Sequence, residues 1–227
     1  MADHEDPTEA APNGRHPSRD WEALMAQHAR GRGLKVRPAT PRDHGRIDVI
    51  VRARFPRPAA VLGGAAGIAR RRIGIAGPDG RTHSAWLAED AHGVPRAYLI
   101  VSSDDRGDLH IHEVASAPPG PGGRTRHAAT VLIGTMLAAA MAKAPEARVS
   151  LVSLAEHRWL PGDAALVPPW RDPLAYYETI GLSRLAAGDV RPPLGGAIRP
   201  ADIVMSAPVA RSLAAIDRLL RRRLAQS

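Results

Sequence analysis

"SAPPGPGGRTRHAATVLIGTML", residues 116–137, runs from a loop dense in proline and glycine into an almost unbroken small and apolar stretch. A glycine-rich turn that opens a helix aims main-chain N–H groups outward, and the helix dipole there favours negative charge. The helix that follows is apolar on every side, so it belongs in an interior. The identity of the anion then bears on function.

Two phosphate loops are excluded at once. A Walker-type loop needs a lysine followed by Ser or Thr, and no lysine lies in this loop. A dinucleotide fingerprint counted from Gly120 and Gly122 needs a third glycine where Thr125 stands. It also follows a first parallel strand, whereas the segments ahead of this loop read as a meander.

Those segments are "SAWLAE" (84–89), "RAYLIVS" (96–102) and "LHIHEVAS" (109–116), joined by "DAHGVP" and "SDDRGD", both of turn chemistry. Further upstream, "LKVRPAT" from Leu34 alternates as a strand. In "TPRD", Thr40 sits at an N-cap, Pro41 at the first helical place and Asp43 in a capping-box position, which predicts a helix to about Arg54. Ile47, Ile50 and Val51 share its apolar face. A further helix is expected over 65–72. Downstream come a strand over 148–154, a helix in "DPLAYYETIG", a strand start at Leu182 and a last strand near 203–207. The order is β-α-(α)-β-β-β-α-β-α-β-β, an α/β fold with a mixed central sheet flanked by helices.

Trp21, Leu24, Met25 and His28 recur at helical spacing behind Ser18 and Asp20, and Gly31 and Gly33 end that segment. The tail places Leu213, Ile216, Leu220 and Leu224 on one face, with arginines elsewhere. The expected organisation is a flexible extension with a short helix over 1–33, a central domain over 34–209, and a basic amphipathic helix over 210–227.

Composition narrows the chemistry. The 227 residues contain no cysteine, which removes disulfides, zinc thiolates and thiol nucleophiles. The net charge is +8, yet only Lys35 and Lys143 are lysines, and the arginines are spread along the chain. Nucleic-acid tracking wants a clustered stripe, so the charge argues only weakly for it. The start of the chain lacks a basic region followed by an apolar core, and the run 128–142 is too short for a bilayer. A cytoplasmic protein without a membrane segment is expected.

Element order, "RTRHAATVLI" and "YYETIGL" together resemble the GNAT superfamily of acetyl-CoA-dependent N-acetyltransferases. The resemblance spans roughly 34–209 and implies a GNAT-like acyl-CoA N-acyltransferase fold. The family's pyrophosphate segment, Arg/Gln-x-x-Gly-x-Gly/Ala, is matched from Arg124 to Ala129, with His127 at the middle glycine place. Its Tyr-Glu-x-x-Gly-Phe helix end is matched by Tyr177, Glu178, Gly181 and Leu182, while Trp170 stands at the usual asparagine place.

By this resemblance Arg124, Thr125, Arg126, His127, Ala128, Ala129 and Thr130 would hold the CoA pyrophosphate. Main-chain groups of Val114, Ala115 and Ser116 would polarise the thioester, and Tyr177 would protonate the departing thiolate. The plain alternatives are a core helix start and aromatic packing.

In "DLHIHEVAS", strict alternation puts Asp108, His110, His112 and Val114 on one face and Leu109, Ile111, Glu113 and Ala115 on the other. The resemblance makes His110 and His112 candidate general bases, with Glu113 as the substitute if the register shifts by one. Imidazole suits proton removal near neutrality. A polar solvated face with no task is the competing reading. No third ligand at metal spacing follows the two histidines, so no metal is expected.

The function that follows is transfer of an acetyl or other acyl group from acetyl-CoA, as co-substrate, to a primary amine in a ternary complex. The acceptor would be an amine-bearing small molecule, protein or peptide. Two rivals stand beside it. His127, the long Pro/Gly insertion and Trp170 motivate a GNAT-fold CoA-binding or regulatory module without transfer. Arg70, Arg71, Arg72 and the tail motivate an RNA- or tRNA-directed acetyltransferase. Arg70, Arg71 and Arg72, with Arg158 and Arg171, would favour an acidic acceptor, against the plainer reading of solvated arginines, and the apolar faces at Trp21 and the tail allow a homodimer.

Overall fold

The computed structural model describes residues 20–54, 73, 81–117, 127–153, 173–185 and 203–224. The expected helix over 65–72, and Arg124, Thr125, Arg126, Arg158, Trp170 and Arg171, lie outside them.

The helices are α1 (Trp21–Arg30), α2 (His44–Arg54), α3 (Ala128–Lys143), α4 (Pro173–Thr179) and α5 (Val209–Leu224). The strands are β1 (Lys35–Pro38), β2 (Thr82–Glu89), β3 (Pro95–Ser103), β4 (Leu109–Ser116), β5 (Arg148–Ser153), β6 (Ser183–Arg184) and β7 (Ile203–Pro208). They form one sheet in the order β1-β2-β3-β4-β5-β7-β6. Every pairing is antiparallel except β4 with β5. A parallel pair needs a crossover, and α3 supplies it. It therefore runs against β4, starting near the C-terminal end of that strand.

Each sheet face has its own core. On one side Leu99, Val101, Leu109 and Ile111 meet α3 through Leu132, Ile133, Met136 and Leu137, with Met25, Leu213, Ile216 and Leu220 beyond. On the other, Ile47, Ile50 and Val51 of α2 cover Leu87, Tyr98, Ile100 and Ala115. The all-round apolar character of α3 follows from its place between the sheet and the two terminal helices. At Gly134 a Cβ would fall 2.6 Å from Met25 Sδ and 3.1 Å from Ile216 Cγ2, so glycine lets α1 and α5 close on α3.

Buried polar contacts join the chain ends. His28 Nε2 meets Asp217 Oδ1 at 2.8 Å, and Arg32 donates to the Leu220 carbonyl at 2.9 Å and to that of His28 at 3.2 Å. The helices expected as flanks thus pack into the central core.

The "TPRD" signal begins with a 3-10 turn, Pro41–Asp43, before α2 proper. The Asp43 carboxylate accepts from Thr40 N–H at 2.9 Å and from Thr40 Oγ1 at 3.1 Å. Arg37 donates to both Asp43 and Glu89, and Arg46 to Asp43, Glu89 and the Gly93 carbonyl. The Arg37 hydrogen bonds hold the Asp43 carboxyl well below the ordinary carboxylate range, despite its burial. This network fastens the start of α2 to the β1–β2 edge, and so fixes the helix that packs on the second face.

Candidate active site

The parallel pair is short. Leu109, His110 and Ile111 register with Val149, Ser150 and Leu151, and among the described residues the pairing of the two strands stops there. Beyond it, β4 continues to Ser116 beside β3. The strands therefore part toward their C-terminal ends: Val152 and Ser153 of β5 pair with β7 alone among the described strands.

A bulge accompanies the split. Ile100 pairs with Glu113 but Val101 pairs with Ile111, so His112 is the extra residue on β4. It overturns the expected alternation. Leu109, Ile111 and Val114 face α3, whereas Ala115 lies in the core under α2. Glu113 pairs with Ile100 of that same core, and Tyr98 Oη donates to Glu113 Oε1. Glu113 therefore shares the face of the histidines instead of opposing them. An inserted residue reverses every side chain after it.

The same face carries a polar row in register across the sheet. His83 pairs with Ser102, Ser102 with His110, His110 with Ser150, and Ser150 with Ser206. Ser102 is fully buried. His112 joins the row through the bulge. Its Nε2 lies 3.0 Å from Ser102 Oγ, its ring stacks on His83 at 5.3 Å between centroids, and it meets His110 edge-on at 4.8 Å.

The two candidate bases differ in access. His110 is buried, with Nδ1 3.1 Å from Ser150 Oγ. Burial, assisted by the nearby positive charges of His112 and Arg81, pushes it down to about 3, so its ring is neutral at ordinary pH. His112 is half-buried. Among the described residues no group of three His, Asp or Glu is placed to hold a metal ion.

The main-chain groups of β4 beyond the split alternate in direction. Ala117 N–H bonds the Arg96 carbonyl at 2.8 Å, so Ala117 and Ala115 turn their peptide groups toward β3. Alternation then points those of Val114 and Ser116 away from β3, toward the side on which β5 has left β4.

Ala144, just after α3, lies against Gly107, just before β4, so the start of α3 lies toward the C-terminal end of that strand. His127 caps the helix with φ 74°, and is the non-glycine residue of positive φ among the described residues. The expected glycine place therefore does have a glycine-type backbone, occupied by a residue that tolerates it at a cost of about 1 kcal/mol. The His127→Gly variant should be more stable by roughly 0.5–1 kcal/mol, read from the denaturation midpoint in urea. The first helical N–H with an intrahelical acceptor is that of Val131, on the His127 carbonyl. Those of Ala128, Ala129 and Thr130 precede it.

Thr130 Oγ1 lies 3.0 Å from Tyr176 Oη, which fixes α4 against the first turn of α3. Tyr177, expected near the reacting sulfur, neighbours it with ring centroids 5.5 Å apart. Burial pushes the Tyr177 phenol up to about 12, so it keeps its proton. Gly181 ends this segment at φ +91°, where a Cβ would come within 3.2 Å of Ala215, Arg211 and Ser212 of α5. The motif glycine is thus required by both backbone and packing.

His83, Ser102, Ser150 and Tyr176 were not singled out as site residues from sequence. The alternation of His83 with Ala85 and Leu87 carries a trace of the signal; the register that delivers it to His112 does not. A separate cavity of about 440 Å³, lined by Trp86, Val101, Met136 and Lys143 among others, lies beside the C-terminal half of α3 and away from this cluster.

No family model and no curated protein matches the sequence. Solved structures do match the fold. One is a protein assigned to the acyl-CoA N-acyltransferases from Klebsiella pneumoniae, at TM-score 0.50 and 13% identity, covering 78% of this chain and 99% of that one. Another is assigned to the GNAT acetyltransferases from Desulfovibrio desulfuricans, with TM-score 0.50, 13% identity, and coverage of 78% and 99%. The chain has the GNAT fold. Among the described residues no helix is long and apolar enough to cross a membrane.

Proposed function

We propose that this protein is an N-acyltransferase that moves an acetyl group from acetyl-CoA to a primary amine within a ternary complex. The observation that carries the proposal is the parting of β4 from β5 after Ile111 and Leu151, together with the imidazole cluster on β4 and the helix start at His127 that follows it.

Each part has a chemical task. The N–H groups of Ala128 to Thr130 suit a diphosphate, because they lack intrahelical partners and lie at the positive end of the helix dipole. Arg124, Thr125 and Arg126 belong to the same proposal and lie outside the described residues. The N–H groups of Val114 and Ser116 stabilise the oxyanion that forms when the amine adds to the thioester carbonyl. His112 takes the proton lost by the attacking nitrogen, directly or through water. Tyr177, which stays protonated, hydrogen-bonds to the departing thiolate.

Calorimetric titration with acetyl-CoA should show saturable one-site binding, and its absence overturns the proposal. Mass spectrometry of a broad amine and peptide library incubated with protein and acetyl-CoA should then show an acetylated product. A second reading, a CoA-binding module without transfer, is favoured by His127 at the helix start, where a bulky side chain replaces the glycine. Saturable binding with no acetylated amine in the library would select it.

A further inference from the structure

We propose that Ser150 is a positioning residue that fixes the ring proton of His110 on Nδ1, so that His112 alone takes up charge in the His110–His112 pair. The inference deepens the transfer reading above and rests on it for its catalytic meaning, though not for its geometry.

The argument starts from one hydrogen. The Ser150 hydroxyl stands 3.1 Å from the Leu109 carbonyl and 3.1 Å from His110 Nδ1. A carbonyl oxygen can only accept, so the single Ser150 proton goes to Leu109. Toward His110 the hydroxyl then has only lone pairs to offer. Nδ1 must be the donor. In a neutral imidazole that leaves Nε2 as the acceptor, and the tautomer is set by β5 rather than by chance.

Register explains why a serine stands there. Ser150 is the partner of His110 in the parallel pair, one residue before the last pair at Ile111 and Leu151. Both side chains share a face where the strands are still held together, just before the pairing ends. The position thus couples the tautomer of His110 to the point at which the two strands part.

The groups around the pair agree with a single charge. His83 of β2 stacks on His112, Ser102 of β3 meets its Nε2, and Arg81 lies ahead of β2. Glu113, the next residue of β4, is engaged by Tyr98. Rings 4.8 Å apart do not both carry charge without strong repulsion. Held neutral with its proton committed to Ser150, His110 leaves the proton of the acceptor amine to His112.

Nitrogen-15 NMR of the full chain, labelled at the histidine rings, tests this between pH 5.5 and 8. His110 should show a protonated Nδ1 and an unprotonated Nε2 at every pH. Ser150→Ala should give mixed tautomers or an Nε2-protonated ring, and Ser150→Thr, which keeps the hydroxyl, should restore the wild-type pattern. In transfer assays Ser150→Ala should lower kcat on the order of tenfold with the KM for acetyl-CoA unchanged, and move the acid limb of the pH profile. An Nε2-protonated wild-type ring, a His110 that titrates in this range, or an unaltered ring in Ser150→Ala would overturn the inference. A protein that transfers nothing would refute the functional reading while leaving the ring spectra to decide this one.

Discussion

Replacing His112 with Gln should lower kcat for acetyl transfer by about 10²- to 10⁴-fold, the usual worth of a positioned general base. Binding of acetyl-CoA should be unchanged. The reasoning is one of access and charge. His112 is half-buried and meets Ser102 through Nε2. His110 is buried, and burial holds it neutral down to about 3, so it has little capacity to retain an ammonium proton. Glu113 is also buried and receives the Tyr98 hydroxyl. Calorimetry reports cofactor binding, and release of the CoA thiol with an amine that the wild-type protein acetylates reports turnover. Full activity in His112→Gln alongside an inactive Glu113→Gln would move the base to Glu113.

The second large effect concerns stability in acid. His110 has an ordinary value near 6.5 when unfolded and about 3 when folded. Between those values the unfolded chain binds a proton that the folded chain refuses. Stability therefore rises with pH across this window, and is lost as pH falls from about 6.5 toward 3. The loss from this one ring is about 4 kcal/mol over the window, a large share of the stability of a domain this size. Asp43 acts in a different range. Its carboxyl is held below the ordinary value by Arg37, so its contribution is lost only below about pH 4. Urea denaturation at steps from pH 7.5 to 4.5 should show the slope due to one proton in the wild type. His110→Gln should remove that slope, whatever its effect at neutral pH. An unchanged slope in that variant would place the titrating group elsewhere.

The same ring shows how far sequence reading reached. "LHIHEVAS" was legible as a strand, because alternation and β-propensity act over neighbouring residues. The two histidines stood out for the same reason. The face of Glu113 was not legible, since it depends on the bulge at His112, and that bulge exists only in the pairing of β4 with β3. Nothing local marks the extra residue. His83 and Ser150 escaped for a related reason. Each is ordinary in its own strand, and joins the imidazole cluster through the registers that align β2, β3, β4 and β5.

By itself the sequence determined which of the described stretches become helix or strand, that the apolar run after His127 is interior, and that no lysine-bearing phosphate loop precedes that run. Those properties arise from periodicity, capping and composition, which span a few residues. Only the tertiary structure decided that β4 and β5 part after Ile111 and Leu151, that a bulge brings Glu113 to the side of the imidazoles, and that Ser150 meets His110. Pairing between strands is a cooperative choice made among distant segments, and one inserted residue changes every face beyond it.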